Sequence, residues 1–388
     1  MFSTRVPGDR RPNALSLAAA RARARGPVLD LTLSNPTRAG IDYPPALLAG
    51  LSDPAALTYR PAPLGLADAR EAIALDYARR GLRVEADRIV LTSSTSEAYS
   101  ILFKLLGDPG RADVLTPVPS YPLFDHLTRL DGVGQRRYAL EYHGAWAVDA
   151  DSLDRAWTPE TRAVLAVSPN NPTGSVVGDE DADELTRRCG DRDAAPILDE
   201  VFCDYPLSAP LVEPRAFLEP PCLLCRLGGL SKSIGLPQAK LGWMALDGPA
   251  DVVAEALDRI ELICDTYLSV STPVQVAARS LLERGAAVRA QILDRVRANH
   301  ATLRGIVSGD EGATVLPADG GWSAVIRVPA TRSEDALVTE LLEHDAVMVH
   351  PGYFFDFPHE AFLVVSLLPE PDEFARGIRL VQDRLHAA

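Results

Sequence analysis

Lysine is nearly missing from this 388-residue chain: three lysines, Lys104, Lys232 and Lys240, stand against 36 arginines. Arginine cannot form an imine, whereas a lysine amine of lowered pKa can. A surviving lysine is therefore a candidate for chemistry closed to arginine. Cysteine is also sparse. The five thiols, at 189, 203, 222, 225 and 264, are odd in number and scattered, which fits free cysteines in a reducing compartment. Cys222 and Cys225 have C-x-x-C spacing but no second pair completes a tetrahedral site, so no metal is expected. No uncharged apolar run approaches the ~18 residues of a membrane span, and the opening Met1 to Arg10 has no apolar core for a secretory signal. A soluble, cytoplasmic protein with no membrane partner is expected. Positive charge is short as well. With 53 acidic against 39 basic side chains the net charge is -14, and the lack of a basic patch argues against a nucleic-acid partner.

What is present is an alternation of apolar runs and helical stretches. The length allows two to three domains. Asn13 to Arg25 reads as a helix in an N-terminal arm, Leu29 to Leu33 as a short strand. Helices are expected over Leu66 to Arg80 and Ser96 to Leu106, strands over Ile89 to Thr92, Asp113 to Pro117, Ala163 to Val167, Ile197 to Val201, Leu223 to Leu227 and Leu241 to Leu246. Short apolar strands alternating with helices imply an α/β fold with a mostly parallel sheet covered on both faces. A long helical region follows, Ala250 to Tyr267 and Pro273 to Arg304. Strands at Trp322 to Val328, Val347 to His350 and Phe362 to Leu367 and a closing helix over Glu373 to Leu385 suggest a smaller α+β domain. Residues 46–279 are expected to form the large domain and 280–388 the small one, with 1–45 an arm and part of the small domain.

Ligands on such sheets lie beyond the carboxyl ends of the strands, and five segments fall there. Thr92-Ser93-Ser94-Thr95-Ser96-Glu97 opens a helix. Ser94 and Glu97 alone would make a capping box, while the free amides and hydroxyls also suit a phosphate. Tyr121, in the proline-bounded turn Pro119 to Pro122, is packing or a stacking ring. Ser168 to Gly174 is a dense turn that presents Asn171 at the same rim. Asp199 ends an apolar strand and needs a partner for a part-buried charge; a protonated heterocyclic nitrogen or a nearby arginine would serve. Lys232 sits between Ser231 and Ser233 in a turn flanked by Gly228, Gly229 and Gly235, with room for a bulky group to approach the backbone. Lys104, inside an apolar helix, reads as a snorkelling structural residue. An amine, an anion nest, a ring and a carboxylate together describe a site for pyridoxal phosphate.

With Ser231-Lys232-x-x-Gly235-Leu236-Pro237, Asn171-Pro172-Thr173-Gly174 and Asp199-Glu200-Val201 in this order, the chain resembles a fold type I pyridoxal-phosphate enzyme of the class I/II aminotransferase family, from Asn35-Pro36 to the last helix. The resemblance implies an enzyme moving an amino group from an amino acid donor to a keto acid or other carbonyl acceptor. It implies a Schiff base at Lys232, which later moves the proton between substrate and cofactor. Asp199 would pair with the ring nitrogen, Asn171 with the ring hydroxyl, and Tyr121 would stack on the ring. Ser94, Thr95, Ser96, Ser231 and Lys240 would hold the phosphate. Tyr59 would reach the phosphate of a neighbouring subunit in a homodimer whose site is shared across the interface.

Three positions depart from the family pattern. Lys240 stands where arginine is usual, which turns a two-pronged phosphate contact into a point charge. Phe202 replaces a common tyrosine, removing a hydrogen bond to the ring hydroxyl. Val364 stands where family members carry the arginine that clamps the substrate carboxylate. Arg38, in the loop Asn35 to Arg38 expected over the substrate, is the candidate replacement, with Asn35 beside it. On the same fold a lyase, cyclase or decarboxylase is the alternative. A regulator that senses the cofactor would need a DNA-binding module, for which no room is expected before Leu29.

Overall fold

The computed structural model describes residues 2–8, 11–308 and 312–387. In chain order the strands are β1 (Leu29–Asp30), β2 (Ile89–Thr92), β3 (Asp113–Val118), β4 (Gly134–Tyr142), β5 (Trp146–Val148), β6 (Thr161–Val167), β7 (Ala195–Asp199), β8 (Leu224–Gly229), β9 (Gly242–Asp247), β10 (Thr314–Val315), β11 (Ser323–Arg327), β12 (Val347–Met348), β13 (His350–Pro351) and β14 (Phe362–Ser366). The large sheet has the order β2-β9-β8-β7-β6-β3-β4-β5. Its centre, β4 to β8 through β3, β6 and β7, is parallel, while β9 runs antiparallel to both β2 and β8 and β5 antiparallel to β4. This is the mostly parallel sheet expected.

Both faces are covered, and the strands show it by period 2. Ala163, Leu165 and Val167 of β6 join Ala98 and Leu102 of the helix Thr95–Leu106 and Val253 and Ile260 of the helix Ala250–Tyr267. Their neighbours Val164 and Ala166 turn to the other layer, with Leu153, Leu185 and Phe217. The smaller sheet, β10-β11-β14-β13, is antiparallel. A 36-residue helix, Thr272–Val307, runs unbroken through the boundary expected at 280, so a rigid rod joins the parts and no flexible linker does. β1 pairs with β12, which ties the N-terminal segment to the C-terminal one.

Several sequence expectations are corrected. The strand expected over Leu29 to Leu33 stops at Asp30, because the Asp30 carboxylate accepts bonds from the Thr32 backbone N–H and hydroxyl, at 3.0 and 2.5 Å, a local turn that competes with the ladder. Val201 lies beyond β7. Val347 to His350 splits: Val347–Met348 pairs with β1 and His350–Pro351 with β14. β4 and β5 were not expected, since Gly134–Tyr142 lies toward the sheet edge and is polar and mostly part-exposed.

Several charges are buried, and one group of them is anchored on β8. Arg226 of β8 is 3 % exposed, pairs with Glu200 and Glu213, and donates to the Phe217 carbonyl; Arg80 also reaches Glu200, at 3.3 Å. Removing one member of such an array strands the others' charge. Arg226→Leu is expected to cost about 3–5 kcal/mol, read as a lower urea midpoint at unchanged slope.

Candidate active site

Strand register builds the site. Thr92, Gly242 and Gly229 lie level across β2, β9 and β8, and Asp199, the last residue of β7, lies level with Leu227 and Val167. The segments that follow β2, β3, β6, β7 and β8 therefore emerge along one edge, and each carries one of the expected groups. Gly242 is required there. A Cβ on it would come within 2.8 Å of the Ser94 carbonyl carbon and 3.0 Å of the Thr95 nitrogen, so only a bare backbone lets the helix Thr95–Leu106 start this close to the sheet.

Lys232 occupies the single helical turn Leu230–Ser233 that follows β8. Three side chains fix the backbone around it: Tyr205 donates to the Lys232 carbonyl, Arg289 Nε to the Ser233 carbonyl at 2.8 Å, and Tyr43 to the Gly235 carbonyl at 2.8 Å. Its Nζ lies 4.7 Å from the centre of the Trp322 ring and 5.4 Å from that of Phe202. Burial in this aromatic surrounding pulls the amine pKa down to about 8, against the opposing charge of Asp199. Asp199 is pushed the other way. Burial raises its pKa to about 6, with hydrogen bonds from Tyr99 and the Val201 amide and the charge of Lys232 holding it back. Those bonds measure 2.8 and 3.1 Å.

The segment Thr92 to Glu97 forms the capping box expected of it. Ser94 is the N-cap, its hydroxyl accepting the Glu97 N–H at 3.2 Å, while Glu97 accepts the Ser93 N–H at 2.6 Å. The capping box is real. It engages the Ser94 hydroxyl and leaves the half-buried Thr95 and Ser96 in a first turn whose amides have no helical acceptor. Ser231 is half-buried nearby in sequence to Lys232, and Lys240 is exposed in a left-handed conformation, φ 53°.

Asn171 is half-buried, its Oδ1 accepting from the Ser323 hydroxyl at 3.3 Å. Sequence reading passed over its neighbour. Asn170 is buried and ties the two rim turns together, donating to the Pro119 carbonyl at 3.0 Å and accepting from Ser120 at 3.1 Å. Tyr121 follows in that turn and is 47 % exposed. Tyr59 stands apart, 68 % exposed, beside a narrow cleft lined by Gly65, Leu268 and Gln275. Asn35 is engaged in its own loop, accepting from the Thr37 N–H and hydroxyl. Arg38 is exposed. Their loop rests on the Lys232 turn, with Pro36 3.5 Å from where a Cβ on Gly235 would lie. Tyr99, Tyr205 and Trp322 also escaped the sequence reading, because buried aromatics carry no pattern that separates a polar duty from packing.

Val364 is explained by its neighbours. It lies level with Val325 and His350, on the same face as Ser323, which touches Asn171. That face is apolar: Val364 packs with Leu316, Val325, Phe355 and Phe357. Among the described residues no group of His, Cys, Asp and Glu could hold a metal, all five cysteines are free, and no helix is long and apolar enough to cross a membrane.

The residues present fit pyridoxal phosphate: an amine kept near neutrality by burial, a buried carboxylate with acceptor capacity left beside its two bonds, and a helix N-terminus with open amides. A family model described as aminotransferase class I and II matches residues 37–375. Glutamate-pyruvate aminotransferase AlaA of Escherichia coli K12 is 25 % identical over 355 residues, 89 % of this chain and 87 % of that protein. Tyrosine aminotransferase of Mus musculus is 26 % identical over 315 residues, covering 79 % and 69 %. Among solved structures, alanine aminotransferase from Pyrococcus furiosus superposes with a TM-score of 0.89 at 20 % identity over the whole of both chains. An aspartate aminotransferase mutant from Thermus thermophilus gives 0.84 at 22 % over 99 % and 100 %.

Two outcomes are expected. Above its folded pKa Lys232 is neutral and able to attack an aldehyde, so the rate at which cofactor-free protein turns yellow with pyridoxal phosphate should rise with a midpoint near pH 8; a midpoint near that of an ordinary lysine would contradict the burial argument. Val364→Arg should place an unpaired cation in the apolar cluster and cost about 3–5 kcal/mol, visible as a lower melting temperature.

Proposed function

The chain belongs to the class I and II aminotransferase family, whose cofactor is pyridoxal phosphate, and from that premise we propose how its own residues carry the transfer. Bound pyridoxal phosphate supplies an aldehyde that takes up amines and an electron-poor ring that spreads the charge of a carbanion. Lys232 is the amine that holds the aldehyde. Freed for proton transfer, its amine would be the base that takes the substrate Cα proton and later gives it back, a task suited to an amine whose pKa lies near 8. Trp322 and Phe202 keep the freed amine beside the reacting atoms through their ring faces. Asp199 would pair with the ring nitrogen and, ionised, would keep it protonated. Asn171, its oxygen held by Ser323, would offer its amide N–H to the ring hydroxyl. The Thr95 and Ser96 amides and hydroxyls, the Ser94 backbone, Ser231 and Lys240 would hold the phosphate, and Tyr121 would stack on the ring.

Tyr59 completes the phosphate site of a second copy, and the exposure of this ring in one chain supports a homodimer with shared sites. Residues 46–279 form the cofactor-holding unit and 280–388 with 1–45 the substrate-side unit; the protein works in the cytoplasm with small-molecule donors and acceptors. Its relatives' names point to glutamate, alanine and tyrosine as donors to try first. Arg38, the exposed cation of the loop resting on the Lys232 turn, grips the substrate carboxylate from the rim in place of an arginine on β14, and Asn35 shapes that loop. The observation that carries the reading is the facing of a buried amine and a buried carboxylate at the ends of adjacent strands.

The test uses yellow holoenzyme and one amino acid at a time with no acceptor. Transfer should bleach the visible band in proportion to keto acid formed, Lys232→Ala should abolish it, and Arg38→Ala should raise the donor concentration needed by about ten-fold or more. Keto acid formed while the visible band persists would instead mean elimination, as in a lyase.

A further inference from the structure

The carboxylate of Asp199 has a protein partner that the reaction's usual description does not need. Tyr99, one turn into the helix Thr95–Leu106, is 2 % exposed and points its hydroxyl at Asp199 Oδ2, 2.8 Å away. The ring is wedged by its own layer: Phe124 meets it edge-on at 5.4 Å and Phe103 lies at 6.1 Å. A tyrosine so buried cannot swing to another acceptor. Its own proton is secure, because burial and the Asp199 charge both push its pKa well up. The hydroxyl is therefore a permanent donor, aimed at one carboxylate oxygen, while the Val201 N–H takes the other.

We propose that Tyr99 is a positioning residue: it fixes the rotamer of Asp199 and favours its ionised form, so that the carboxylate meets the cofactor's ring nitrogen already charged and already aimed. The proposal rests on the reading that Asp199 faces that nitrogen. Besides Tyr99, burial and three groups bear on the charge of Asp199: burial and neighbouring Glu200 oppose ionisation, while the Val201 N–H and Lys232 favour it. Tyr99 is the only one of the favouring side chains that stays in place when Lys232 is engaged elsewhere. The same helix begins with Ser94 to Ser96, so one rigid element aims the phosphate nest and the carboxylate together.

Tyr99→Phe keeps the ring and removes one oxygen. In cofactor-free protein the sign follows from Asp199, whose folded pKa of about 6 is raised above the ordinary carboxylate value. Such a group favours the fold at acid pH, and that contribution is lost as pH rises through 6. Without the donor the folded pKa climbs further, so the melting temperature of Tyr99→Phe should fall well below that of the parent at pH 8 and converge on it near pH 4. In an Asp199→Asn background the pH dependence of that gap should vanish. In holoenzyme, Tyr99→Phe should release pyridoxal phosphate about ten-fold more readily and shift the pH at which the bound cofactor's visible band changes, by about one unit. A gap that is the same at every pH would make Tyr99 a packing residue and overturn the proposal. The two premises separate cleanly. If Asp199→Asn weakens retention and Tyr99→Phe does not, the role of Tyr99 falls alone; if neither weakens it, the reading of Asp199 falls with it.

Discussion

Everything in the site depends on holding two opposite ionisable groups, Asp199 and Lys232, in an apolar surrounding that suits neither. Desolvation moves the acid up to about 6 and the base down to about 8, so each is brought close to the pH at which it can give or take a proton. That arrangement is unfavourable by itself and persists only where the surrounding structure over-determines it. Tyr99 and the Val201 amide hold the carboxylate. Tyr205, Arg289 and Tyr43 hold the backbone that carries the amine.

The strand that delivers Asp199 also anchors the far face. Asp199 ends the strand and meets Tyr99, and Glu200, the first residue beyond it, pairs with Arg226 and Arg80. A charge placed for chemistry is thus backed by a charge placed for structure. Arg289 joins this layer to the other group: its Nε holds the Ser233 carbonyl and lies 3.4 Å from Asp204, while Nη2 pairs with Asp76 at 3.2 Å. Burying these charges brings little net stability; what it supplies is position.

The fold's outline was legible because the central strands are buried on both faces and read as plain apolar runs, and because the caps are local: the Asn13 and Ser94 side chains accept backbone N–H groups at their helix starts. Lys232, Asp199 and Asn171 were legible because a rare lysine, a charge at the end of an apolar strand and a proline-bounded turn each break a local rule. What was not legible depends on tertiary neighbours. Gly134–Tyr142 has no hydrophobic signature because it lies near an edge. Tyr99 looks like any core aromatic until Asp199 is found opposite it. Asn170 and Asn171 are equal in sequence, and only the fold separates the buried tie from the residue at the rim.

Val364 separates two halves of the problem. The groups proposed for the cofactor come mostly from the large sheet and its loops, while those proposed for the substrate come from the small sheet and from the loop 35–38, which follows β1, paired with β12. The valine on β14 is covered by its own cluster of Leu316, Val325, Phe355 and Phe357, and the Phe355 carbonyl accepts the Ser120 N–H at 3.0 Å, in the turn that carries Tyr121. Ser323 and Trp322 are two places where the halves meet: Ser323 lies on the apolar face yet binds Asn171, and the Trp322 ring lies 4.7 Å from Lys232 Nζ. On the proposed reading, buried charge fixes the groups assigned to the cofactor while surface loops and an apolar cluster border the substrate, so a cation could come from an element other than β14 without disturbing the first set. The loss of an arginine in the small sheet is therefore compatible with an intact amine, carboxylate and anion nest in the large one.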